Sequence, residues 1–148
     1  MTALKTVSLA AALALAATAL AANASPAGVW RTIDDNTGQA RSLIRITEVK
    51  GELQGVVEKI FPQPGQDPAP VCRQCKGERK DKSILGMTIL WGLKRDGDSW
   101  GGGEILDPQN GKTYRCEITV GGDGKSLKVR GFVGFSLFGR TQTWLRQE

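Results

Sequence analysis

From Ala27 onward, apolar and polar positions alternate in short runs, each closed by Gly, Asn, Asp or Pro. A period of two marks strands with one face buried, and turn signals recurring between them point to an all-β sandwich or barrel. The first predicted strand covers Ala27–Ile33 and ends in the polar turn Asp34-Asp35-Asn36-Thr37-Gly38. The second, Ala40–Val49, puts Ile44 and Ile46 on one face and Arg45 and Thr47 on the other. Lys50-Gly51 turns it into the third, Glu52–Phe61, where Val57 and Phe61 alternate with Glu58. The one long connection, Pro62–Asp81, holds four of the six prolines; a loop of that length in a compact domain is usually functional or tied down. The fourth strand is predicted over Lys82–Leu93 and is apolar on both faces, with Ile84 and Leu90 on one and Leu85, Met87, Ile89, Trp91 and Leu93 on the other.

Arg95-Asp96-Gly97-Asp98 then leads into a hairpin spanning Trp100–Cys116, whose turn is Asp107-Pro108-Gln109-Asn110-Gly111. Three successive glycines, Gly101 to Gly103, stand inside its first strand, where glycine marks a bend, a bulge or another group close on the backbone. Gly121-Gly122-Asp123-Gly124 turns into strand seven, with Leu127, Val129, Gly131 and Val133 inward and Lys128 and Arg130 outward. Phe135–Gly139 connects to the last strand, Arg140–Arg146. Eight antiparallel strands in up-and-down order make the smallest barrel that either fills itself or holds one small ligand. Glycine bends ease its closure, and closure removes aggregation-prone edges. A two-sheet β-sandwich is the competing architecture, because periodicity alone does not separate the two.

The first residues carry a different signal. Lys5, the apolar run Val7–Ala22 and Ala22-Asn23-Ala24 have the three parts of a secretory signal peptide cut after Ala24. The run is shorter than the roughly 20 residues of a membrane span. A periplasmic or secreted protein is expected, with one domain over residues 25–148 and no stable membrane anchor after cleavage. Removing 24 of the 148 residues leaves 124, enough for a core, and lowers the net charge from +5 to +4. So mild a positive charge, without a block of like charges, gives weak attraction to anionic envelope surfaces and no support for nucleic acid binding. Histidine is absent, which removes Ser-His-Asp and Cys-His nucleophiles and every His-ligated metal site. No metal or other cofactor is implied, and no convincing pair of catalytic groups stands out.

Three cysteines remain. In an exported chain Cys72 and Cys75 can form a local disulfide, closing about 4 residues for roughly 2 kcal/mol. Pairing either with Cys116 closes about 42 to 45 residues for roughly 4 kcal/mol, so chain entropy favours the longer bridge. Cys116 alternates with Tyr114 and Ile118 on an apolar face, where a lone cysteine behaves as a small buried hydrophobe. That placement favours Cys72–Cys75 with Cys116 free. Thiol exchange would need the pair at the start of a helix, and haem attachment would need histidine where Lys76 stands.

Trp91, Trp100 and Tyr114 lie on or beside the glycine-rich hairpin, where rings either cover bare backbone or line a pocket mouth. Glu104, Arg130, Arg140 and Gln142 are the polar candidates to orient a ligand there. First and last strands of such a barrel are neighbours, so Trp30 and Arg146 can stack as a cation–π pair that plugs one end. Gly28-Val29-Trp30 with a terminal arginine resembles the lipocalin group. A closer resemblance rests on Gly28-Val29-Trp30, Cys72-Arg-Gln-Cys75, Trp100-Gly-Gly-Gly-Glu-Ile-Leu-Asp-Pro, Gly111-Lys-Thr-Tyr114, Arg130-Gly-Phe-Val-Gly and Gly139-Arg-Thr-Gln-Thr-Trp-Leu-Arg146. This ordered set is similar to the bacterial exported family called domain of unknown function 2147. The resemblance implies a small lipocalin-like barrel, periplasmic or secreted, with no established reaction; Cys116 lies outside the family's pattern. Two functions follow as expectations. One is binding of a small, mostly apolar ligand in a cavity open at one end; the other is an envelope protein–protein interaction module using the outer face of strand four or the Pro62–Asp81 loop.

Overall fold

The computed structural model describes residues 24–135 and 138–148; the predicted signal sequence up to Asn23 lies outside the described residues. Eight strands follow one another: β1 (Gly28–Ile33), β2 (Ala40–Val49), β3 (Glu52–Ile60), β4 (Thr88–Asp96), β5 (Ser99–Asp107), β6 (Lys112–Val120), β7 (Ser126–Phe132) and β8 (Gly139–Arg146). Each pairs antiparallel with the next, and β8 returns to β1 with Trp30 opposite Arg146 and Arg31 opposite Leu145. The result is a closed up-and-down barrel, not a sandwich. Among the described residues one 3-10 turn, Gly77–Arg79, lies in the connection between β3 and β4.

Up-and-down order fixes which loops share an end. The β1–β2, β3–β4, β5–β6 and β7–β8 connections gather at one mouth; the other three gather at the opposite end with residues 24–27 and 147–148. Near that second end the interior is solid. Trp30, Ile44, Ile46, Leu53, Leu90, Leu93, Ile118 and Leu127 are all buried there, alternating with exposed polar positions along their strands.

The glycine triplet does two separate things. Gly102 takes a left-handed φ of 74° at the bulge that shifts the β5–β6 register between Trp100 and Gly103. Gly103 lies against β4, where a Cβ would overlap the Trp91 carbonyl oxygen and come within 2.6 Å of the Leu93 nitrogen.

Strand four differs from expectation in its start and its faces. It begins at Thr88, and residues 82–87 belong to the loop. The Gly86 N–H donates to the Val57 carbonyl, and the Val57 N–H to that of Met87, so regular pairing with β3 starts only beyond this turn. Leu85 is exposed, whereas Met87 and Ile89 join the core. Leu90 and Leu93, expected on opposite faces, are both fully buried, because Gly92 (φ 73°) interrupts the alternation between them. Strand seven likewise stops at Phe132, leaving Val133 exposed rather than inward.

Cys72 and Cys75 form a disulfide and are buried, 0% and 3% exposed. Their loop is pinned by Cys72 N–H to Lys82 O (2.8 Å) and Asp81 N–H to Cys72 O (2.9 Å). It presses on the β5–β6 turn at Gly111, whose φ of 70° and lack of a Cβ let the Gln74 carbonyl come close. The bridge thus staples the long connection over one side of the mouth.

Candidate functional site

At the closed end, the Arg146 guanidinium lies 4.2 Å from the centre of the Trp30 ring. Its three nitrogens donate to the Gly124, Ala27 and Ser25 carbonyls at 2.6, 3.0 and 2.6 Å. The Trp30 indole N–H donates to Pro26 O at 2.8 Å. Every polar atom of the pair therefore has a direction fixed by the backbone around it, and the pair seals the barrel by tying residues 25–27 and the end of β8 to the β6–β7 turn.

The opposite half is hollow. A cavity of about 600 Å³ runs inward from the mouth, within the range of about 300–1,000 Å³ typical of small-molecule sites. An aliphatic part of its wall is made by Val57, Ile60, Ile84, Ile89, Ile105 and Val129, and Trp144 also lines it. Gly131 leaves space there: a Cβ would make ordinary contacts of 3.5–3.9 Å with Tyr114 and Ile105.

Polar groups sit towards the rim and largely satisfy one another. Thr32 and Ser42 share a hydrogen bond of 2.7 Å, and Asn110 Nδ2 donates to the Tyr114 hydroxyl at 2.9 Å. Gln142 donates to Asp35 (3.1 Å) and accepts from the Trp144 indole (3.4 Å). Arg41 stands 3.7 Å from Asp34, and Arg140 3.3 Å from Asp35. The Thr37 and Asn36 N–H groups, with Arg41 nearby, hold the Asp34 carboxyl below its ordinary range. No charged side chain is buried among the described residues, so a charged ligand group deep in the cavity would find nothing to offset its desolvation.

Of the residues predicted to meet a ligand, Tyr114, Arg140 and Gln142 line the cavity. Trp100, 7% exposed, belongs to the packed half, since β5 starts at the closed end. Trp91 is half-buried with the Arg79 guanidinium 4.6 Å from its ring centre, and Glu104 is exposed opposite it on β5. Arg130 donates to the Thr141 hydroxyl (3.1 Å) and does not line the cavity. The aliphatic wall, Trp144, Arg41 and the loop residues Gln63 and Pro70 escaped the sequence reading. Hairpin parity is the signal that finds part of them: inward positions in the β5–β6 and β7–β8 mouth halves include Ile105 and Val129.

Cys116 is free and buried, opposite Gly103 and Gly131. Burial, helped by neighbouring Glu117, pushes its thiol up to about 12. A raised folded pKa means that the neutral thiol favours the folded state below the unfolded value, and that this contribution fades as the pH rises above it. At pH 8, iodoacetamide is expected to leave native Cys116 unmodified and to alkylate it once urea unfolds the chain. Fast labelling of native protein would contradict that burial.

The sequence matches the family described as "Uncharacterized protein conserved in bacteria (DUF2147)" over residues 28–146. No curated protein matches it. Among solved structures the fold is similar to that of HP1028 from the human pathogen Helicobacter pylori, described as belonging to the lipocalin family. The TM-score is 0.72 and the identity 20%, over 84% of each chain.

Proposed function

Because the chain belongs to the bacterial DUF2147 family and has a lipocalin-like barrel, we propose that it is a binding protein for a small, mostly apolar ligand, acting in the periplasm or after secretion. One observation carries this reading: the barrel is packed solid in one half and hollow in the other, with a cavity that has aliphatic side chains on its inner walls and polar ones towards the mouth. The ligand enters with its apolar body against Ile60, Ile89, Ile105 and Val129. An uncharged polar end stays near Tyr114, Asn110 and Gln142, which already hydrogen-bond within the protein and can exchange partners at little loss. The envelope-interaction alternative has lost its main motive, since Met87 and Ile89 are core residues and Arg79 covers Trp91.

Titration with the neutral fluorescent probe N-phenyl-1-naphthylamine tests the reading. The wild type is expected to bind one equivalent. Gly131→Leu, which fills the cavity without straining the backbone, is expected to weaken binding by at least about tenfold while the fold persists. Equal probe binding by the two proteins, or none by the wild type, would overturn the proposal.

A further inference from the structure

The barrel is zipped unevenly. β8 pairs with β7 from Gly139 opposite Phe132 to Leu145 opposite Ser126, and β1 pairs with β2 from Gly28 to Ile33. β8 and β1 meet through just two pairs, Arg146 with Trp30 and Leu145 with Arg31, continued at the closed end by the Gln147 N–H donating to Val29 O (2.7 Å). From Arg31 towards the mouth, no further ladder pair joins the two strands among the described residues. Strand alternation counted from Gln147 aims the Thr143 and Thr141 N–H groups at this seam; counted from Val29, it aims that of Ile33 there from the other side.

Side chains close the seam instead. Asp35 Oδ2 accepts from Gln142 Nε2 (3.1 Å) and lies 3.3 Å from Arg140 Nη2. Gln142 Oε1 in turn accepts from the Trp144 indole (3.4 Å). Thr32, Ile33 and Asp34 on one side and Arg140, Gln142 and Trp144 on the other all line the cavity, whereas Asp35 does not. Along the seam, then, the cavity is divided from solvent by side chains and not by a paired backbone. The Arg140 and Asp35 side chains are 69% and 50% exposed, and an ion pair that well solvated holds weakly.

The opposite wall is fastened. Counted round the ring, the β8–β1 boundary faces the β4–β5 boundary, which the β3–β4 and β5–β6 connections flank at the mouth. Those two connections are the ones held together by the disulfide loop, with Cys72 Sγ 3.5 Å from Pro108 O and Gln74 packed on Gly111. Movement that widens the mouth is therefore concentrated on the seam, where strands separate without breaking a ladder bond.

We infer that the β1–β8 seam is a side gate to the cavity, latched by Asp35, through which an apolar ligand enters and leaves. The inference rests on the cavity being a ligand site. Because Asp35 lies outside the cavity lining, loosening the latch raises the open population and speeds entry and exit by the same factor, leaving affinity in place.

Stopped-flow fluorescence with N-phenyl-1-naphthylamine tests the gate. Asp35→Ala is expected to raise the association and dissociation rate constants together, each about fivefold, from the loss of one exposed ion pair and one hydrogen bond. The ratio of the two constants should stay as in the wild type. Added sodium chloride, which screens the pair, is expected to speed exchange in the wild type and not in Asp35→Ala. Arg45→Ala breaks another exposed pair, with Glu58 between β2 and β3, and should leave both rates alone. Unchanged rates in Asp35→Ala, or faster dissociation without faster association, would overturn the gate while the cavity remains a binding site. No probe binding by the wild type would overturn the ligand-site reading, and the gate with it.

Discussion

Trp30→Ala is expected to remove about 4 kcal/mol of folding free energy, a large share of the stability of a domain this size. The ring is the largest fully buried side chain at the closed end. Its loss leaves a void beneath Arg146, whose guanidinium then faces a hole instead of an aromatic surface. The partner substitution, Arg146→Ala, removes the charged donor from three carbonyls and uncovers the ring, and about 3 kcal/mol is expected from those losses together. Arg146→Lys keeps the charge but not the fork that reaches Ser25, Ala27 and Gly124 at once, so it recovers only part. Urea denaturation followed by tryptophan fluorescence and circular dichroism measures these differences. The double variant should lose less than the sum of the two, because each residue acts through the other. Full additivity would mean that the two stabilise the fold independently.

Gly103→Ala is expected to be the most damaging single-methyl addition within the glycine triplet, at about 3 kcal/mol or more. The added carbon would overlap the Trp91 carbonyl and crowd the Leu93 amide, and backbone atoms of a neighbouring strand cannot swing away as a flexible side chain can. Its neighbours provide the controls. Gly102→Ala meets open space but keeps a left-handed φ, so about 1 kcal/mol is expected. Gly101→Ala has its nearest neighbour at 3.9 Å and should change stability by less than about 0.5 kcal/mol. Three equal effects in thermal or urea unfolding would contradict the close approach of β5 to β4.

How much of this was legible in the chain depends on the scale of the signal. Alternation and turn residues located the strands because a half-buried strand must repeat every two residues, and seven of the eight expected strands fall within a few residues of the observed ones. Strand four failed because residues 82–87 imitate a strand: Ile84 and Met87 are apolar since the loop they occupy packs on the core, not because they alternate in a sheet. The glycine triplet announced a bend and a close approach, and both are present at different members of it. Trp30 with Arg146 was legible from topology, and Cys72 with Cys75 from the apolar strand face that holds Cys116, against the chain-entropy preference for a longer bridge. The cavity was not. Period-two alternation says which residues point inward, but whether the interior is filled depends on side-chain volumes at matching heights on different strands. Trp91 and Trp100 were placed near a pocket for being aromatic and close to glycines; barrel height decides instead, and Trp100 begins a strand at the packed end. Gly131 and Ser42, small residues in the mouth half, were the quieter clue.

The central claim is that one half of this barrel is core and the other half a ligand site. Methyl-resolved NMR during titration with N-phenyl-1-naphthylamine addresses it residue by residue. Shifts are expected for Ile60, Ile84, Ile89, Ile105 and Val129, with Ile46, Leu53, Leu93, Ile118 and Leu127 unmoved. Shifts spread evenly over both sets, or confined to the outer surface, would contradict the division.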